Sequence, residues 1–377
     1  MNLYDFSIYY HDIYEYVIIY LTILYAIRIW DCRYPLIVSK IIPYEVIILC
    51  LALILFLGLR PIHPVFQDTM GYARRFEYFQ TVPFYHLIEA EKDTGFAYFS
   101  FLCSRYISTD TYFLLCEFIY FIPLMIASIF VNKRSYPIIM VAFISTFSFY
   151  AGCVNIIRMG IASSLSILAF ILILKNEGKK HIIIAVALFY FGFKTQGAIA
   201  LPILCFIVSY FYFYKHPKIT FFFWLASILF SLVNHTFFEN LFISVGFDQR
   251  LEDAIDSQYN EFAYDAFAYS GFRWDFLIIS SISIIWSWYL IFKRKIQDKS
   301  FIVLACTYIL ANAFWILVIR ARFSDRFARL SWYLYPLVLI YPLLNYKIWK
   351  YNQKYYTIFL FSLHTLITIL LSIYRSY

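Results

Sequence analysis

Charge is scarce in this chain: 14% of its 377 residues are charged, 63% are hydrophobic, and the mean hydropathy is +0.70. A soluble domain carries about 25% charged and roughly 45–50% apolar residues. The shortage excludes a soluble globular protein, and counting domains by length does not apply. The net charge of +8 reflects lysines in short loops and is no sign of nucleic-acid binding. Metal signatures are missing too. No Cys-x-x-Cys, His-x-x-x-His or Asp-x-Asp occurs, so neither a protein-held metal nor another cofactor is expected. The seven cysteines fall mostly in apolar runs and read as small packed hydrophobes. Met1 to Tyr16 holds no Lys or Arg. It lacks the basic start of a signal peptide, and the first apolar segment is expected to stay. No internal repeat and no low-complexity segment is found.

What is there is a series of apolar runs. A membrane-spanning helix needs about 20 apolar residues. The sequence predicts twelve spans near 14–30, 41–59, 111–131, 136–152, 157–174, 181–193, 197–213, 219–237, 275–292, 300–319, 328–344 and 355–373. The fold class is therefore all-α and polytopic, one transmembrane domain over 1–377. The sixth and seventh runs flank the polar stretch Lys194-Thr195-Gln196-Gly197. They read either as full spans or as broken helices meeting at a site.

Orientation follows from Lys and Arg in the loops. One set of loops carries Arg28, Arg33 and Lys40, then Lys133 and Arg134, then Lys175, Lys179 and Lys180. It continues with Lys215 and Lys218, then Lys293 to Lys299, and ends with Lys347, Lys350 and Lys354. The opposite set is poorer, with Arg158, Lys194, Arg320, Arg322, Arg326, Arg329 and Arg375. The richer set is assigned to the cytoplasm, which puts both termini outside. The long loops 60–110 and 238–274 are then extracytoplasmic. Met70, Ala73, Phe76 and Phe79 recur at helical spacing, as do Phe96, Phe99, Leu102 and Tyr106, and Leu251, Ile255, Tyr259 and Phe262. These predict short amphipathic helices on the membrane or over a cavity. Gly95 and Ser270-Gly271 read as breaks between them.

Aromatic residues reach 23%, with 42 Phe and 36 Tyr. Two readings stand: interfacial belts and sugar stacking, or a bias towards AT-rich codons.

Polar groups at the outer ends of spans are the candidates for chemistry. Arg60 closes the second span and is followed by Asp68 and Tyr72. Arg60 either snorkels to headgroups or binds an anion. Asp68 either caps the helix that follows or acts as a base. Asn155 and Arg158 open the fifth span, and Arg158 is either an anchor or a ligand. Lys194 and Gln196 lie in the polar stretch already noted. Four arginines crowd into Arg320-Ala-Arg322-Phe-Ser-Asp325-Arg326-Phe-Ala-Arg329, just before Tyr333. Guanidinium groups bind phosphate oxygens in pairs and stay charged. Burying them without an anion costs several kcal/mol each. The anions found at this depth are lipid phosphates and polyprenyl diphosphates.

Taken in order, these patches resemble the EpsG-like branch of the Wzy polysaccharide polymerases. The shared pattern runs through Gly58-Leu59-Arg60, Asp68 with Tyr72, and an acidic-Gly-aromatic stretch from Glu91 to Phe99. It continues with Asn155, Arg158, Met159, Ile161 and Ala162, and closes on Arg329-Leu-Ser331-Trp-Tyr333. Two positions depart from it: Met159 replaces the usual Gln, and Lys194 the usual His. If that His is a general base in relatives, a protonated Lys194 does not replace it.

The resemblance implies a GT-C-like membrane glycosyltransferase of the bacterial inner membrane. It would join oligosaccharide repeat units carried on undecaprenyl diphosphate at the outer face, with no nucleotide sugar. A flippase and a chain-length regulator of the same pathway are the implied partners, with the lipid bilayer. Arg158, Arg322, Arg326 and Arg329 are expected to bind diphosphate, with Arg60 and Lys194 behind them. Asp68 is the first candidate base, before Glu89 and Glu91. Tyr72, Asn155, Gln196 and Tyr333 would orient substrates. The alternatives are a flippase or transporter of the same lipid-linked sugar, and another GT-C-like enzyme such as an O-antigen ligase. Charges at the outer ends of spans, without a repeat, favour an enzyme over a transporter. A membrane acyltransferase would want a catalytic His, and neither His63 nor His86 has an acid at a telling spacing.

Overall fold

The computed structural model describes residues 9–31, 42–66, 68–83, 93–175, 178–233, 237, 272–320 and 324–376. Among these the chain is helical, with no strand. It divides into two compact units. One is Met1–Ile199 with Ile340–Tyr377, and the other is Ala200–Leu339.

The first unit holds α1 (Tyr10–Asp31), α2 (Ile42–Gly58), α3 (Asp68–Thr81), α4 (Thr94–Tyr106) and α5 (Thr109–Val131). It continues with α6 (Tyr136–Ile144), α7 (Phe149–Val154), α8 (Ile157–Lys175) and α9 (Lys179–Thr195). The second unit holds α10 (Ala200–Val208), α11 (Pro217–Val233), α12 (Trp274–Trp288), α13 (Lys299–Leu317) and α14 (Ser324–Trp332). Then α15 (Tyr335–Asn345) leads back into the first unit, which ends in α16 (Gln353–Ser376). Two helix starts show side-chain capping. Ser108 accepts from Thr111 N at 3.3 Å ahead of α5, and Asp298 accepts from Ser300 N and Phe301 N ahead of α13.

Among the described residues, seven helical stretches are long and apolar enough to cross a membrane, and shorter apolar helices cover Tyr44–Gly58, Gly197–Phe213 and Pro217–Val233. The chain is a multi-pass membrane protein. Several expected spans take a different form. The run 136–152 is broken between α6 and α7, whereas the run 328–344 falls within a candidate span, Ser324–Asn345, with a two-residue turn between α14 and α15. The polar stretch after α9 becomes a cap at Gln196 and a 3₁₀ turn, Gly197–Ile199.

A break inside an apolar environment needs its carbonyls satisfied. The α6 break is served by side chains from two other helices. Tyr14 OH donates to Ile144 O, His364 Nε2 to Ala142 O at 2.9 Å, and Thr368 Oγ1 to Ser145 O at 2.6 Å. Because a carbonyl only accepts, the His364 proton sits on Nε2.

The first long loop contains the two amphipathic helices that periodicity predicts. In α3, Ala73, Phe76 and Phe79 are buried as expected. In α4 the buried face is Phe96, Ala97, Ser100, Cys103 and Ser104, whereas Leu102 and Tyr106 are exposed. In lipid, large apolar side chains gain little from moving inside, and small residues let helices approach. Ser100 shares a hydrogen bond with Tyr112 OH at 2.8 Å, which fixes that small-residue face inward. Gly95 is no break either. It lies in the first turn of α4, where a Cβ would stand 2.6 Å from Lys194 Cβ and 2.8 Å from Lys194 O. The loop 238–274 lies outside the described residues apart from 272–274.

Candidate functional site

Three chain segments of the first unit converge on one carboxylate. Asp93 immediately precedes α4 but does not cap it. Its Oδ2 instead stands 2.7 Å from Nη1 of Arg158, the second residue of α8, and its Oδ1 accepts from Gly197 N at 3.1 Å. The start of α4, the start of α8 and the turn after α9 are thereby tied together. Two close approaches permit this. Gly95 lies against Lys194, and a Cβ at Gly160 would be 2.7 Å from Gly152 O, so α8 begins hard against α7.

The Arg158 guanidinium lies 6.0 Å from the Tyr72 ring, which packs edge-on against Phe96. Burial raises the Tyr72 phenol above its ordinary range, with Arg158 opposing the shift. Tyr72 therefore stays neutral, and its hydroxyl accepts a hydrogen bond from Arg158, whose guanidinium only donates. Arg75, one turn further along α3, is lowered by burial and by the nearby Arg158 charge. Arg158 Nε is buried with no hydrogen-bond partner among the described residues. The cluster therefore offers donors and positive charge that Asp93 alone does not saturate.

The other candidates of this unit are placed as follows. Asp68 is exposed in the first turn of α3, with no hydrogen-bond partner among the described residues. Asn155 caps the end of α7. Gln196 is buried at the end of α9, and Lys194 is half-exposed, with Nζ 5.9 Å from the Tyr190 ring. Glu89 and Glu91 lie outside the described residues.

Arg60 sits elsewhere. It is sealed in the first unit, with Nη1 3.2 Å from Glu117 Oε1 and 2.6 Å from Leu57 O. It also donates to Thr69 Oγ1, whose hydroxyl donates to Val154 O at 2.7 Å. This fixes the start of α3, so Arg60 positions the helix that carries Asp68 and Tyr72.

In the second unit, α14 carries two of the four clustered arginines, Arg326 and Arg329. Arg329 is 6% exposed and reaches Asp325 Oδ2 with Nη2 at 3.1 Å, while its Nη1 is buried without a partner among the described residues. Arg326 is exposed, and Arg320 lies 5.7 Å from the Phe272 ring. Arg322 lies outside the described residues. Tyr333 is buried just beyond α14. Ser331 and Trp332 are structural. Asn312 Nδ2 donates to Ser331 Oγ at 3.2 Å, Trp224 Nε1 to Asn312 Oδ1 at 3.1 Å, and Trp332 Nε1 to Ser280 Oγ at 2.7 Å.

Asp93 and Arg75 were not among the residues singled out from the sequence. Asp93 is signalled by the acidic-Gly-aromatic stretch, and Arg75 by an arginine pair on an amphipathic helix. The structure also gathers His11, Asp12 and Glu15, with potential metal-ligand atoms within 4.8 Å of one another. Their spacing of one and three residues matches none of the metal motifs sought.

No curated protein and no solved structure matches the chain. The model of the EpsG family matches residues 44–377, so this chain belongs to the EpsG family, and that membership gives it a role in polysaccharide polymerisation.

Proposed function

We propose that the protein is a glycosyltransferase that joins oligosaccharide repeat units carried on undecaprenyl diphosphate at the outer face of the bacterial cytoplasmic membrane. The acceptor hydroxyl oxygen bonds to the anomeric carbon of the growing chain. The bond from that carbon to the diphosphate oxygen breaks, its electron pair leaves with the diphosphate, and undecaprenyl diphosphate is released. The acceptor proton passes to a carboxylate, for which Asp68 is the candidate, because Asp93 is committed to Arg158 and Gly197 N.

The observation that carries this reading is the Arg158 cluster in a chain of this family. Its guanidinium remains partly exposed beside Tyr72 and Arg75, with an Nε that has no partner among the described residues. Donors fixed in advance where negative charge grows lower a barrier most effectively, and such a donor is worth about 2.7–4 kcal/mol. In the second unit, Arg329 with Arg326 and Arg322 offers a further phosphate-binding cluster, and Tyr333 is assigned to substrate orientation.

The test is the cell-surface glycan ladder of a strain lacking this gene, complemented with wild type or Arg158→Gln. A null strain capped at one repeat unit, a ladder restored by wild type, and no ladder with the variant would support the proposal. Lipid-linked units accumulating on the cytoplasmic face, with no single-unit glycan outside, would instead identify a flippase.

A further inference from the structure

Two helices of the second unit end in the same unusual way. α10 passes into a π-helical turn, Ser209–Phe213, and α12 into another, Tyr289–Lys293. Such turns are rare and recur at functional sites. Each runs into a basic stretch. Lys215 and Lys218 follow the first, Lys293 closes the second, and Arg294, Lys295 and Lys299 follow it, all exposed. This end of α13 is a full helix length from Arg320.

Aromatic rings draw the two stretches together. Lys299 Nζ stands 3.8 Å from the Tyr210 ring and 4.8 Å from the Tyr214 ring, and Lys215 Nζ is 5.6 Å from Tyr214. Tyr214 is thus shared by lysines of both. Lys293 lies 5.7 Å from the Trp288 ring, and Arg294 Nε donates to Tyr289 OH at 2.6 Å. The acid within these stretches, Asp298, caps α13 through Ser300 N and Phe301 N.

Lys295 adds an independent sign. Its φ is 55°, in the left-handed region. Arg294 N bonds to Tyr289 O and Ile296 N to Leu290 O, so Lys295 occupies the turn that ends the helix. Glycine is favoured there, and a side chain is conformationally disfavoured. A residue held in a disfavoured conformation is a reason to look for a function. Here the side chain supplies one more ammonium to a cluster already crowded with like charge.

We propose that this end of the second unit binds the headgroup of an anionic phospholipid, with its phosphate received by Lys215, Lys295 and Lys299. Tyr and Trp rings favour the boundary between hydrocarbon and headgroups, and lysine stems lie along such rings while their charges reach the phosphates. Clustered basic residues at the cytoplasmic end of spans attract acidic lipid in the same way. A lipid, rather than a soluble anion, fits cations placed on interfacial aromatics at the ends of apolar helices.

The experiment uses the full chain reconstituted in vesicles of equal parts phosphatidylglycerol and phosphatidylcholine. The lipids retained after extraction are counted by native mass spectrometry. Wild type is expected to retain phosphatidylglycerol in preference. Lys215→Gln with Lys299→Gln should weaken that preference by about fivefold for each lysine. Lys295→Gly relieves the disfavoured backbone, so it should melt no lower than wild type while retaining about fivefold less phosphatidylglycerol. Equal retention of the two lipids by wild type overturns the proposal. So does a Lys295→Gly protein that keeps the full preference.

Discussion

Arg60 and Arg158 are each held by a carboxylate in the first unit, Arg60 by Glu117 at 3.2 Å and Arg158 by Asp93 at 2.7 Å. Chemically the pairs are alike, but their surroundings are not. The Arg60 and Glu117 side chains are 0% and 1% exposed, and Arg60 is further bound by Leu57 O, Thr69 Oγ1 and the Phe113 ring. The Arg158 side chain is 24% exposed, and its Nε has no hydrogen-bond partner among the described residues. A closed pair cannot exchange its partner without unfolding its surroundings, whereas a half-open pair can trade a carboxylate for a phosphate. Both arginines end or open an apolar run, so only their three-dimensional setting separates a structural clamp from a candidate ligand.

The largest effect tests the closed pair. Glu117→Ala leaves a buried guanidinium uncompensated and should cost about 3–5 kcal/mol, read as a lower melting temperature in detergent. Replacing both partners with apolar residues, Arg60→Met with Glu117→Leu, should recover most of that loss. A Glu117→Ala protein that melts like wild type would return Arg60 to the candidate ligands. The half-open pair should behave in the opposite way. Arg158→Gln still offers Asp93 a donor, so it should fold, yet polymer yield should fall about 100- to 1000-fold, as when one preorganised anion donor is removed. If it melted as badly as Glu117→Ala, the distinction between the pairs would collapse. Gly95→Ala lies between them. A Cβ within 2.6 Å of Lys194 Cβ forces α4 and α9 apart, at about 1–3 kcal/mol. The readout is a lower melting temperature together with shortened glycan.

These cases show what the sequence could carry. Apolar runs and loop charges were enough for an all-helical membrane protein, because in lipid every backbone group must be satisfied within helices. Arg158 and Tyr72 could be singled out because their types and order point to anion chemistry. Asp93 could not be matched to Arg158, since its partners lie 65 and 104 residues away. Arg60 was indistinguishable from a ligand because Glu117 sits inside an apolar span 57 residues on. In α4 the periodic apolar residues divide, with Phe96 buried and Leu102 and Tyr106 on the outward face, because in lipid large apolar side chains gain little from moving inside. Breaks such as that after Ile144 depend on donors from α1 and α16, which no local window contains.

The smallest expected effect carries the same comparison into the second unit, within α14. Arg329 and Ser331 stand two residues apart in the stretch that resembles the family pattern. Arg329 Nη1 has no partner among the described residues, whereas the Ser331 hydroxyl donates to Ala328 O at 2.8 Å and accepts from Asn312 Nδ2. Hydrogen bonds between helices in a membrane protein are worth only about 0.6 kcal/mol on average, because the unfolded helices find other partners. Ser331→Ala should therefore lower stability by about that amount and leave the glycan ladder unchanged. Arg329→Gln should do the reverse, shortening the ladder while leaving the melting temperature nearly unmoved. A Ser331→Ala strain with a shortened ladder and unaltered protein stability would place that hydroxyl among the substrate contacts. The closed side of the comparison would then be confined to the Arg60–Glu117 pair.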